Sequence, residues 1–333
     1  TMQGMGHGHF DKLNWLFYDN GQRVVTDYGS ARFLNVEAKR GGIYLAENRS
    51  WAKQTIAHNT LVVDGRSHFG GDWKVGEAHA PRVRFFDVGK DTQVASATMR
   101  DAYPGVEFTR TQALLSHPEL GLPVVLDLLQ ARSTEAARFD LPLHFNGHIV
   151  STGFEAERFV DQRPVLGTEN GYQHLWVDAR SRAGTEQRTL AWLLEGRFYT
   201  YRFGSSVPSQ ALLVESGAND PEFNLRREPA LVQRVEGQRT VSFYSVLEPH
   251  GEYNGTAEYV HGADSRIQAL QRVRGTDAEL VELTLASGAR IALGVADDSG
   301  ATGEHRVTVD GHTYRWRGSH ARIDRAADRR DAR

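Results

Sequence analysis

Short apolar runs bounded by turn residues, rather than helical stripes, set the rhythm of this chain. Residues 14–18, 60–64, 122–129, 189–194, 210–215, 240–247 and 280–285 are runs rich in Val, Leu, Phe and Tyr. Between them stand turn formers such as Asp19-Asn20-Gly21, Asp64-Gly65, Asn146-Gly147 and Asp310-Gly311. Runs of this length with such punctuation read as strands joined by tight turns. Capped amphipathic helices are nearly absent, and no fixed-period repeat is seen. The pattern predicts an all-β fold of many antiparallel strands in stacked sheets or a large sandwich. One domain is expected over 1–319, with 320–333 a charged, disordered tail.

Asn20-Gly21 is the sharpest local signal, because a two-residue type I′ turn needs residues that tolerate positive φ. It pairs Tyr18 with Arg23 and Asn14 with Asp27. Continued as a ladder, it sets His9 opposite Arg32, roughly 16 Å along the strand from Asp27. His9 and Asp27 therefore share a ligand only if the chain bends before Asn14.

At 333 residues and without cysteine, the chain can bury a core without disulfides and excludes thiol chemistry and thiolate metal sites. A net charge of −3, evenly mixed, does not resemble the basic stripe of a nucleic-acid binder. No apolar run approaches the roughly 18 residues of a membrane-spanning helix, and the chain is expected to be soluble. The opening Thr1-Met2-Gln3-Gly4, with dense chemistry starting within the first ten residues, reads as a fragment or a processed product of a longer protein.

That chemistry lies in the first sixty-odd residues, in GHGHFDKLNWLFYDNG (6–21), VVTDYGSARFLN (24–35) and GGIYLAENRSWAKQTIAHNTLVVD (41–64). His7, His9 and Asp11 alternate and would share one side of an extended chain, a pattern that surface turns also produce. His58 enters an apolar strand, where a ring bonded to backbone is the ordinary outcome, and Asp27 ends one, where a turn cap is. Together His9, His58 and Asp27 form an N₂O donor set that Zn²⁺ accepts, although no compact H-x-x-x-H spacing ties them. Arg32 can fork onto a carboxylate and the Tyr44 phenol can move a proton. Trp51 offers a sugar-stacking face, though tryptophan is more often core, and Lys53 offers a second cation. The chain has neither a P-loop nor a dinucleotide-binding glycine pattern.

At these residues, and at GANDPEFNLRREPALVQR (217–234), the chain resembles the C-terminal half of the heparinase II/III-like polysaccharide lyases. It is most similar to the oligoalginate lyases of polysaccharide lyase family 17. The resemblance implies an antiparallel β-sheet domain whose active site lies in a cleft against an N-terminal (α/α) toroid, absent here. It makes His9, Asp27 and His58 ligands of a structural zinc, sets His7 and Arg32 at the substrate's charged groups, and makes Tyr44 a catalytic tyrosine. His7 and Tyr44 are thus the catalytic candidates, with Arg32, Trp51 and Lys53 binding substrate. The implied reaction is β-elimination on 4-O-linked uronates. Alginate is the expected polymer, with heparin or heparan sulfate, or a non-catalytic β module that binds acidic polysaccharide, as alternatives. The partners are then an acidic polysaccharide and the toroid half of the same enzyme, with a homodimer left open and the chain alone expected to be inactive. A periplasmic or secreted bacterial enzyme is the expected setting.

Overall fold

The computed structural model describes residues 8–31, 45–217 and 225–327. Two long antiparallel strands organise it, Val124–His144 and Glu228–His250, of 21 and 23 residues. Their ends are apolar and their middles polar. Register irregularities flank Gln238, and residues 134–136 opposite are exposed, so the pair leaves the core there and passes from one layer to the next. The sequence pattern marks only 122–129 and 240–247 because QARSTEAAR and EGQR look like breaks. They are instead the exposed bend of continuous strands.

In the first layer the pair is flanked by Arg82–Val88, Thr92–Tyr103 and Val106–Leu115 on one side, and by Arg197–Ser205, Arg188–Leu194 and His148–Thr152 on the other. Its other halves join Gln210–Ser216, Leu175–Ser181 and Val62–Val63 in the second layer. A third sheet is built from Ile267–Arg274, Ala278–Leu285, Arg290–Ala296 and His320–Arg325. Alternation along one strand holds the stack together: Leu126 and Leu128 cluster with Val281, Leu283 and Ile291 of the third sheet. Val125 clusters instead with Leu213, Leu231 and Trp192, toward the second layer. Burial on both faces explains why Val-Val-Leu-Asp-Leu-Leu is a nearly unbroken apolar run.

The tail expectation is corrected at this sheet. His320–Arg325 is an edge strand paired with Arg290–Ala296, and Ala321 and Ile323 pack against the Val307–Tyr314–Trp316 cluster. The charges that suggested a solvated tail pair along the edge, Arg322 Nε to Asp324 Oδ1 at 2.8 Å, as charged edge strands commonly do. Residues 328–333 lie outside the described residues. No helix among the described residues is long and apolar enough to cross a membrane.

The outer face of the second layer, Leu212, Val214 and Val232, is covered by the segment carrying Trp51, Ala52 and Ile56. That cover ends at His58.

Candidate metal centre

The Asn20-Gly21 hairpin forms as its residues dictate, with φ of 50° and 73° and Tyr18 paired with Arg23. The ladder ends in a bulge between Phe17 and Tyr18. Below it the chain turns at 11–14, with Asn14 N–H donating to Asp11 O at 2.9 Å and Leu13 at φ 61°. This bend before Asn14 is the one that sharing a ligand requires. It lets the Asn14 side chain reach Asp27 directly, Nδ2 to Oδ2 at 2.8 Å, and it returns His9 toward Asp27 instead of carrying it away along a strand.

His9 is held by its neighbour. Phe10 N–H donates to Lys53 O at 3.0 Å, and Phe10 O accepts from Thr55 Oγ1 at 2.7 Å. These bonds lock the first strand of chemistry onto the segment 53–58. The short 3₁₀ turn Thr55–Ala57 then delivers His58 in extended backbone. Asn59 ties all three pieces together: its N–H donates to Asn14 Oδ1, its Nδ2 to the Trp15 and Thr26 carbonyls, and its Oδ1 accepts from His144 N–H. Arg110 reaches up from the first layer, chelating Asp127 at 2.8 and 2.6 Å while donating Nη1 to the carbonyls of Leu13 and Asn59.

The result is a cluster in which one ligand atom each from His9, Asp27 and His58 lies within 4.8 Å of the others. His58 is fully buried, with Nδ1 3.1 Å from Asp27 Oδ2. Burial pushes its pKa down, but the hydrogen bond and charge of Asp27 raise it above the ordinary histidine value. Burial pushes the Asp27 carboxyl up, yet His58, the Gly29 N–H and His9 hold it well below the usual carboxylate range. His9 is lowered to about 4, by burial first and by His58 second, so it offers a neutral ring. An ionised carboxylate beside two imidazoles, one of them already neutral, is a donor set that a divalent ion accepts. His58 and Asp27 already stand near the ligand spacing of a tetrahedral ion. The residues present therefore fit zinc.

Trp51 requires a correction. The π-helical turn Asn48–Ala52 points it inward, fully buried, its ring edge-on to Tyr28, His144 and His174. No face remains for a sugar. Lys53, at the end of that turn, is half-buried and close enough to His9 to help lower its pKa. His7, Arg32 and Tyr44 lie outside the described residues. The pattern of residue types pointed to neither Asn59 nor Arg110, since each acts through backbone carbonyls and amides. The expected strand pairing of Asn14 with Asp27 is replaced by a side-chain hydrogen bond, because the bulge at Phe17 ends the ladder before it reaches Asn14.

Stacked antiparallel layers with a His-Asp-His group define a large all-β domain. The fold is shared with a heparinase III gene product (TM-score 0.57, 12% identity, 89% of this chain and 38% of that one). A heparan sulfate lyase HepC mutant from Pedobacter heparinus has it too (TM-score 0.53, 14% identity, 88% and 37%). The chain belongs to the heparinase II/III-like, C-terminal family, whose profile matches residues 1–266. It is 81% identical over 326 residues to an alginate lyase of Stenotrophomonas maltophilia, covering 98% of this chain. It is 46% identical over 321 residues to an exo-oligoalginate lyase of Saccharophagus degradans, covering 96%. The chain spans 44% of the length of each of these two relatives.

Proposed function

We propose that this chain is the β half of a lyase that cleaves 4-O-linked uronates of alginate by β-elimination, completed by an N-terminal half of the same enzyme. The 81% identity to an alginate lyase along nearly the whole chain carries this reading. In the reaction a base removes the C5 proton, positive charge neutralises the carboxylate as the enolate forms, and an acid protonates the departing O4. Tyr44 is assigned to proton transfer, and His7, Arg32 and Lys53 to the sugar's charge. His9, Asp27 and His58 would hold zinc, which when bound supplies cohesion between the three segments those residues stand on. The chain's own contribution there is to present a half-buried, ionised carboxylate and to fix the 9–14, 26–29 and 53–59 loops.

The test is the whole enzyme on alginate, read by the ultraviolet absorbance of unsaturated product. Product from alginate but not from heparan sulfate is expected, with negligible turnover by residues 1–333 alone. Absence of product from alginate overturns the substrate. Tyr44→Phe in the whole enzyme should lower kcat by at least about 10²-fold with KM changed far less, and near-normal kcat would remove Tyr44 from the mechanism. A periplasmic or secreted location goes with this reading, and a cytosolic protein on cell fractionation would contradict it.

A further inference from the structure

The face of the first layer that looks toward the third sheet is apolar where that sheet covers it. Beyond the covering edge it changes character. Registered across five strands lie Arg82, Thr98, Thr109, Gln130 and Ser242, a polar row about 19 Å long at ordinary strand spacing. Beside it runs a second row containing Glu107, Arg132 and Thr240. The loop 297–299 of the third sheet forms the opposite wall, enclosing a cavity of about 360 Å³ that continues into a neighbouring one of about 320 Å³ past Gln130 and Arg132.

The wall is built, because Arg84 donates to the carbonyls of Ala296 and Asp297 at 2.8 and 2.7 Å and so pins that loop to the sheet. Most carboxylates in the groove are already answered. Glu107 pairs with Arg100 at 2.6 Å, Glu279 with Arg272, and Asp297 with Arg274. Asp298, on the rim, is the remaining acid. Arg82 and Arg132 are exposed, and among the described residues neither guanidinium, nor the Gln130 amide, has a side-chain partner. The groove thus presents two free guanidiniums, a free amide and a floor of paired threonine hydroxyls (Thr98 to Thr109, 2.7 Å). Strand alternation places it on the opposite face of the layer from Arg110 and Asp127, and hence from the His9–Asp27–His58 group.

We propose that this groove binds a carboxylate-bearing oligosaccharide, with Arg82 and Arg132 forking onto uronate carboxylates and Gln130 and the hydroxyl floor meeting sugar hydroxyls. Guanidinium matches carboxylate in a planar two-point contact, and spaced cations along a polar trough suit an anion repeated along a chain. The choice of uronate rests on the proposed function, whereas the groove does not. Its use would be to hold polymer on the enzyme between cleavages.

The experiment is calorimetric titration of the 333-residue chain with a uronate oligosaccharide, repeated with Arg82→Gln/Arg132→Gln and with a neutral oligosaccharide of equal length. Both substituted residues are exposed, so the fold is expected to hold, and an unchanged melting temperature checks this. The wild type should bind the uronate through a component that weakens at least tenfold in the double variant, a change of about 1.4 kcal/mol. The neutral sugar should bind to neither. Equal uronate binding by wild type and variant, or equal binding of the neutral sugar, overturns the site. If the whole enzyme makes no product from alginate yet the arginine-dependent binding persists, the groove stands and the lyase reading falls. Product formation with arginine-independent binding gives the reverse.

Discussion

Asp127 and Asp27 are two buried or half-buried carboxylates that hold the same loops, and the fold treats them in opposite ways. Asp127 is closed inside the protein: both oxygens are chelated by Arg110, whose Nη1 donates to the carbonyls of Leu13 and Asn59. Charge and hydrogen bonds cancel there, so nothing further is needed. Asp27 has no arginine or lysine ion-pair partner among the described residues. It is met by Asn14, the Gly29 N–H and a histidine whose charge depends on a proton. The first arrangement is a clamp, while the second leaves a carboxylate and two imidazoles that a divalent cation would complete.

The largest effect should come from breaking the clamp. Arg110→Ala leaves Asp127 buried and unpaired and is expected to cost roughly 3–5 kcal/mol, read by denaturant unfolding, and to release the loops that carry the metal group. Replacing both partners by Met and Leu should recover much of that loss. A mild single-variant phenotype would show that the clamp does not hold the site.

The histidines repeat the contrast. His68 and His144 are buried with rings bonded to the Leu61 and Ile56 carbonyls, and burial lowers them to about 3 and about 4. In the unfolded chain a histidine takes up its proton near pH 6.5. The unfolded state therefore binds more protons between pH 6.5 and 4, so stability is complete above pH 6.5 and is lost as pH falls through that window. Each ring should remove roughly 3 kcal/mol by pH 4. The check is unfolding free energy measured against pH, with His144→Gln flattening the slope; a flat wild-type profile would contradict it.

The metal comes next in size. One zinc per chain is expected by metal analysis, and a chelator should lower stability by about 2.7 kcal/mol if free metal stood at a hundred times its Kd. His58→Ala should lose both the metal and the chelator response. A metal-free wild type as stable as the holo form would make Asp27 merely a turn cap. The smallest effect belongs to Asn14→Ala, which removes the bond to the Asp27 carboxylate and the acceptor of Asn59 N–H, and is expected to cost about 2 kcal/mol and to weaken metal retention with little change in fold. An Asn14→Ala protein that keeps its metal affinity would show that His58 and the Gly29 N–H orient the carboxylate without Asn14.

The sequence by itself determined the fold class and the tight hairpin at Asn20-Gly21, because turn chemistry and strand alternation act over a few residues. It also marked His9, Asp27 and His58, and it set the condition that a bend before Asn14 must meet. Only the tertiary structure decided that the bend is there, because the Phe10 bonds to Lys53 and Thr55 span more than forty residues. Only it could bury Trp51, since a π-turn covering the second layer turns that ring inward. The same holds for His320–Arg325, ordered by a neighbouring strand's backbone rather than by its own composition. The two long strands carry the physical reason: their polar middles look like loops until the stacked layers give them a bend to occupy. Local pattern specifies which residues can pair or cap, whereas partners distant in the chain decide which polar groups are buried, which are answered, and which are left to bind something else.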